Sequence, residues 1–153
     1  MLSFLRAISL FVLALSSALL VRTAPLNRRQ TGTVQCNLDR LGVVVGIQET
    51  TTSVNELALQ LANTTFSSNI TAAQTDLNAA QAAIDQIFTA VVANQPASPV
   101  LTNQVGGNLT NAATILFSLN VTTPSANATR TAAINFLEQA ATAGAAVIRD
   151  CVA

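Results

Sequence analysis

The sequence predicts an all-α protein, an up-down-up-down four-helix bundle closed by one terminal disulfide. Three observations predict it. Apolar residues recur every three or four positions over most of the chain, the spacing of one helix face. Ser98-Pro99 and Thr123-Pro124 each place a capping residue before a proline at the first helical position. The two cysteines, Cys36 and Cys151, stand at opposite ends of the helical region. With an even number of antiparallel helices the first begins where the last finishes, so the cysteines can meet. An odd number holds them a helix length apart, roughly 30 Å for 20 residues. Five helices remain possible if helix one breaks near Gly46 and its first piece folds back.

Helix one carries Leu41, Val44, Ile47, Thr51, Val54, Ala58 and Leu61 along one face. A connection over residues 64–69 leads to helix two, which runs toward Ala93 with Ile70, Ala73, Leu77, Ala80, Ile84, Ile87 and Val91 inward. Asn94, Gln95, Pro96 and Ala97 end that pattern. Helix three begins at Ser98-Pro99 and turns Leu101, Val105, Leu109, Ala112, Leu116 and Leu119 inward; Gly106-Gly107 is its weak point, where a kink is expected. Helix four runs from Thr123-Pro124 to about Cys151, presenting Ile134, Leu137, Ala141, Gly144 and Ile148. Helices of roughly 20 to 27 residues on short connections pack antiparallel.

Ahead of the bundle, residues 1–24 read as a secretory signal peptide. Arg6 precedes a 15-residue stretch from Ala7 to Val21, apolar except for Ser9, Ser16 and Ser17, and cleavage fits after Ala18 or Ala24. The stretch is shorter than the roughly 20 residues a membrane-spanning helix needs. Residues 25–29 form a short propiece ending in the dibasic pair Arg28-Arg29, a processing site or an uncut linker. Residues 30–153 are the bundle domain. Seven arginines balance seven acids in the full chain, but without residues 1–29 only Arg40, Arg130 and Arg149 face the seven acids, a net charge of −4. Such a domain has no electrostatic means of capturing nucleic acid or anionic membranes.

A secreted location, extracellular or in a cell wall, is expected to oxidise Cys36 and Cys151 into one bridge. Closing so long a loop stabilises the fold by up to roughly 4 to 5 kcal/mol in the chain-entropy account. The alternatives are two free thiols or an intermolecular bridge. Five Asn-x-Ser/Thr sequons, at Asn63, Asn69, Asn108, Asn120 and Asn127, have no proline in the middle. They lead us to expect a glycoprotein, although any single one can remain unmodified. Asn63, Asn69, Asn120 and Asn127 fall near helix connections, whereas Asn108 lies inside a helix and must face outward to carry a glycan.

Composition narrows the function. With no histidine there is no imidazole base, no Ser-His or Cys-His nucleophile and no common zinc site. No glycine-rich phosphate loop is present, nor a basic stripe with aromatics. The acids Asp39, Glu49, Glu56, Asp76, Asp85, Glu138 and Asp150 are scattered, without the marked pair that glycoside hydrolysis uses. We therefore expect a protein that is not an enzyme and takes no cofactor or metal. Only 9% of residues are charged, against about a quarter in ordinary soluble domains. The outward faces are instead Thr, Asn, Gln and Ser, which suits an extracellular wall.

The apolar stripes are often two residues wide, as at Ile87-Phe88, Val91-Val92, Leu116-Phe117, Phe136-Leu137 and Val147-Ile148. A thick packed core accounts for such stripes. So does a seam that holds an apolar ligand between helices two, three and four. For that seam the candidate lipid-binding residues are Ile84, Phe88, Val91, Leu116, Phe117, Ile134 and Leu137, with Arg40, Arg130 or Arg149 near helix ends to meet a carboxylate.

The leader, the dibasic propiece and the Ala/Thr/Leu-rich helices, with patches such as Leu101 to Leu119 and Ala133 to Ile148, resemble the fungal hydrophobic surface-binding protein A family, which includes cell wall galactomannoproteins. The resemblance covers most of residues 30–153. The Cys36/Cys151 pair departs from that family's usual pattern. What the resemblance implies is an all-helical secreted protein that adsorbs to hydrophobic surfaces or holds fatty acids or other lipids between its helices, with no catalytic residues. The leading expectation is non-catalytic binding of lipids or hydrophobic surfaces. A structural or coat glycoprotein of the fungal cell wall, in contact with wall polysaccharide, is the alternative, and a secreted effector that binds a host protein is a third.

Overall fold

The computed structural model describes residues 34–93 and 95–151. The expected signal peptide, the propiece and Arg28-Arg29 lie outside the described residues. Four helices make up the described chain: α1 (Val34–Gln60), α2 (Ser67–Val92), α3 (Pro99–Ser118) and α4 (Pro124–Asp150). No strand occurs among the described residues.

The helices form an antiparallel four-membered ring. Along α1 and α4 the partners run in opposite order: Cys36 is bonded to Cys151, Gly46 faces Ala140, and Gln60 Nε2 donates to Thr129 Oγ1 at 3.2 Å. Across α1 and α2, Gln74 Nε2 donates to Asn55 Oδ1 at 2.8 Å. The intimate pairs are α1 with α4 and α2 with α3; α1 with α2 and α3 with α4 approach more sparsely, and the backbones of the diagonal pairs do not approach closely.

Helix one does not break at Gly46. A Cβ on Gly46 would lie 2.8 Å from Ala140 Cβ and 2.9 Å from the Ala140 backbone nitrogen, and one on Gly42 would lie 3.0 Å from Ala143 Cβ. The glycines, one helical turn apart, let α1 and α4 approach nearly backbone to backbone, so the five-helix variant does not occur. Helix α3 likewise runs unbroken through Gly106-Gly107.

The buried face of α1 departs from the expected stripe. Ile47, Val54 and Leu61 are buried, but Leu41, Val44, Thr51 and Ala58 are half-buried, and Cys36, Asp39, Gly46, Thr50, Ser53 and Leu57 complete the face. Thr50 is fully buried yet satisfied, because its hydroxyl donates to the Gly46 carbonyl at 2.7 Å. The stripe of α2 holds at Ile70, Ala73, Leu77 and Ala80, and that of α3 at Leu109, Ala112, Leu116 and Leu119. In α4, Ile134 and Leu137 are buried as expected, but Ala140 replaces Ala141, which is exposed.

The starts of α3 and α4 fall at the two proline signals. Ser98 and Thr123 have extended backbones and lead into Pro99 and Pro124, although neither side chain makes a capping hydrogen bond. Helix α2 begins three residues earlier than expected: the Thr64 hydroxyl closes the turn onto the Leu61 carbonyl at 2.8 Å, and Phe66 packs on the core. The α3–α4 connection is anchored by buried Leu119 and Val121 and by a hydrogen bond from Arg130 Nη1 to the Leu119 carbonyl.

Candidate functional site: an open apolar end opposite the sequons

Apart from Cys36, every buried apolar residue lies in Ile47–Leu61, Ile70–Ala83, Leu109–Val121 or Ala126–Ala140. These segments form the end of the bundle that holds the α1–α2 and α3–α4 connections. Toward the disulfide end, Val43, Val44, Ile84, Ile87, Val91, Leu101, Val105 and Val147 are only half-buried. Val43, Ile84 and Val105 pack partly against the core, but none of the eight is fully covered.

Helix phase shows that part of this surface faces inward. Ile148 falls about three turns beyond Leu137 on the same face, yet Leu137 is 4% exposed and Ile148 67%. Phe88 follows Leu77 by the same interval; Leu77 is fully buried and Phe88 half exposed. The α1/α4 pair, joined by the disulfide and the glycine seam, and the α2/α3 pair, joined by residues 93–98, therefore pack together at the connection end and leave the inner faces uncovered at the other.

Outward positions at that end are apolar too. Val34, Leu38 and Val45 on α1, Val92 on α2 and Val100 on α3 are exposed. With Phe88 and Ile148 they account for seven of the nine large apolar side chains exposed among the described residues; Leu59 and Phe117 lie toward the opposite end.

The seven candidate lipid-binding residues fall into separate environments. Leu116, Ile134 and Leu137 belong to the packed core, with Ile84 packed partly against it. Phe88 and Val91 line the open end, and Phe117 faces solvent. Of the open-end residues, Val92 and Ile148 were visible as halves of apolar doublets. Val34, Leu38 and Val45 were not singled out. Their signal is a second stripe with Leu41, spaced four, three and four, on the side of α1 away from Val54.

Charge at the open end is sparse, with a slight acidic excess. Arg149 forms a bidentate bond to Asp150, at 2.8 and 2.9 Å. That contact holds the Asp150 carboxyl below its ordinary range and raises Arg149. Arg40, in the second turn of α1, has its pKa lowered by partial burial and donates to Asn37 Oδ1 at 3.3 Å. Asp39 accepts from Gln35 Nε2 at 2.8 Å, while its Oδ2 is buried without a partner. With exposed Asp85 on α2 at the same end, two arginines stand against three aspartates. Arg130 lies at the other end, half-buried under the α3–α4 connection.

A second concavity is polar. Asp39, Asn135, Glu138, Gln139, Thr142, Ala143 and Ala146 line a shallow open depression between α1 and α4. It offers carboxylates and amides for hydrogen bonding but no nucleophile beside a base. No cluster of three or more His, Cys, Asp or Glu side chains suited to a metal occurs among the described residues.

Asn63 and Asn120 are exposed in the two connections, and Asn69 and Asn127 are exposed in the first turns of α2 and α4. All four occupy the end opposite the disulfide. Asn108, midway along α3, is half-buried. No described helix is long and apolar enough to cross a membrane. Comparison with family models, curated proteins and solved structures finds no match to this chain.

Proposed function

We propose that the protein is a secreted, non-catalytic binder of lipids or hydrophobic surfaces. The observation that carries this reading is the exposed apolar surface at the disulfide end, where Ile148 lies on a core-facing stripe yet is 67% exposed, and Val92 and Val100 are 66% and 72% exposed. Burying such side chains against an apolar partner returns roughly 25 cal/mol per Å², a gain the bundle itself leaves unrealised. The test is binding by delipidated protein to fatty acids, sterols and hydrophobic beads. Saturable binding to at least one is expected; affinity for none of the three overturns the reading.

A second reading, a coat glycoprotein of a cell wall, is favoured by the four exposed sequons gathered at one end. It expects retention in wall fractions with no lipid bound.

A further inference from the structure

We infer that the protein binds by its disulfide end, standing with its long axis across an apolar–water boundary, the open end in the apolar phase and the glycan-bearing end in water. The inference rests on the surface-binding reading and assigns to it a site, an orientation and a partner: an uncharged lipid or oil surface.

Three independent observations carry it. The first is where the exposed apolar side chains lie. Val34, Leu38, Val45, Phe88, Val92, Val100 and Ile148 come from all four helices at one end. They lie on outward as well as inward faces. A second copy of the chain would dock against one face, and a single small ligand would fill only the inner seam. A medium that surrounds the end contacts every side of it.

The second observation is the opposite distribution of polar attachment points. The exposed sequon asparagines Asn63, Asn69, Asn120 and Asn127 all lie at the connection end. A glycan is bulky and strongly solvated, so one at the disulfide end would keep that end out of an apolar phase. None of the four stands there. Asn108 lies between the two ends.

The third observation is electrical. At the disulfide end Arg40 and Arg149 stand against Asp39, Asp85 and Asp150, and Arg149 and Asp150 are bonded to each other. An end with no cationic excess gains nothing from an anionic headgroup and suits an uncharged or zwitterionic surface. The four-helix bundle is in this sense an amphiphile along its axis. Its helices lie parallel to that axis, unlike an amphipathic helix that lies flat with one face in the lipid.

The experiment is adsorption of the secreted, glycosylated protein to a phosphatidylcholine monolayer, followed by surface pressure. Wild type is compared with the triple variant V92Q/V100Q/I148Q, the single variant V100Q and the single variant L59Q, which changes an exposed leucine at the other end. All these positions are at least 66% exposed, so folding is expected to survive, checked by far-UV circular dichroism. We expect the triple variant to lose adsorption by at least about tenfold, from the apolar area removed. V100Q should lose severalfold and L59Q should match wild type. Raising salt from low to about physiological strength should leave wild-type adsorption unchanged.

Hydrogen exchange of adsorbed wild-type protein gives the orientation without any substitution. Added protection is expected in residues 34–45, 85–105 and 141–151, and not in residues 60–70 or 117–128. Equal loss in L59Q and V100Q, or protection at the connection end, overturns the orientation while leaving surface binding intact. A dimer in solution that buries the same residues overturns the choice of partner. Wild-type protein that adsorbs to no surface and binds no lipid overturns the functional reading, and the orientation falls with it.

Discussion

Adding one methyl group at Gly46 and one at Gly107 is expected to move stability in opposite directions. At Gly46 the new Cβ meets the Ala140 Cβ at 2.8 Å and backbone nitrogen at 2.9 Å, so the two helices must separate. G46A is expected to cost about 1 to 3 kcal/mol, as overpacked sites do. At Gly107 nothing lies within 4 Å, so G107A gains helix propensity, about 0.5 to 1 kcal/mol, at no steric cost. Chemical denaturation of the two variants against wild type reads both effects. A second device at this scale is the threonine hydroxyl. Thr71, Thr75, Thr89, Thr110, Thr114, Thr131 and Thr142 each donate to the carbonyl four residues back. Exposed helical threonines thereby have their donor satisfied inside their own helix, at the cost of a slight weakening and bending of it.

At the scale of the helix, burial and phase separate, and mutation can measure the separation. Leu116 and Ile148 both belong to inward stripes, but Leu116 is fully buried and Ile148 is 67% exposed. L116A is expected to cost about 2 to 5 kcal/mol, and I148A to stay within about 0.5 kcal/mol of wild type; a comparable loss at both positions would mean that the disulfide end is closed in solution. The same contrast explains what the sequence made legible. Helices α2 and α3 were readable in phase, because Ile70, Leu77, Leu109 and Leu116 anchor buried stripes whose other positions are alanine; the start of α2 was not, because Ser67, Ser68 and Asn69 carry no apolar signal. The buried face of α1 was not, because Asp39, Gly46, Thr50 and Ser53 share it, and a hydrophobic pattern passes over small and hydroxyl-bearing residues. The alanine-rich end of α4 gave little to choose between Ala140 and Ala141. The open end was legible only in part: spacing assigns Ile148 and Phe88 to a face, whereas whether a neighbouring helix covers that face depends on where the other pair runs.

At the scale of the molecule, the disulfide compensates for the core that its own end lacks. Only Cys36 among the apolar residues and Asp39 among the polar ones are buried beyond the Gly46 level of α1. The α1/α4 pair there depends on small-residue contact and the sulfur bridge, which spans a sequence separation of 115. Reduction is expected to lower stability by about 2 to 5 kcal/mol, measured as the shift in denaturant midpoint with and without reductant. The loss in hydrogen-exchange protection should be greatest in the first turns of α1 and the last turns of α4, since stability is not uniform over a fold.

The place of that bridge also decides how the protein bears force. Its sulfurs join the beginning of the first helix to the end of the last, with Cα atoms 5.1 Å apart. Tension applied to the chain on either side of the two cysteines therefore passes from one to the other through a covalent bond. The helices form a closed loop that carries none of that load. Under tension applied outside the two cysteines the helices stay unloaded while the bridge is intact, and reduction of the sulfur bond would pass that load to them.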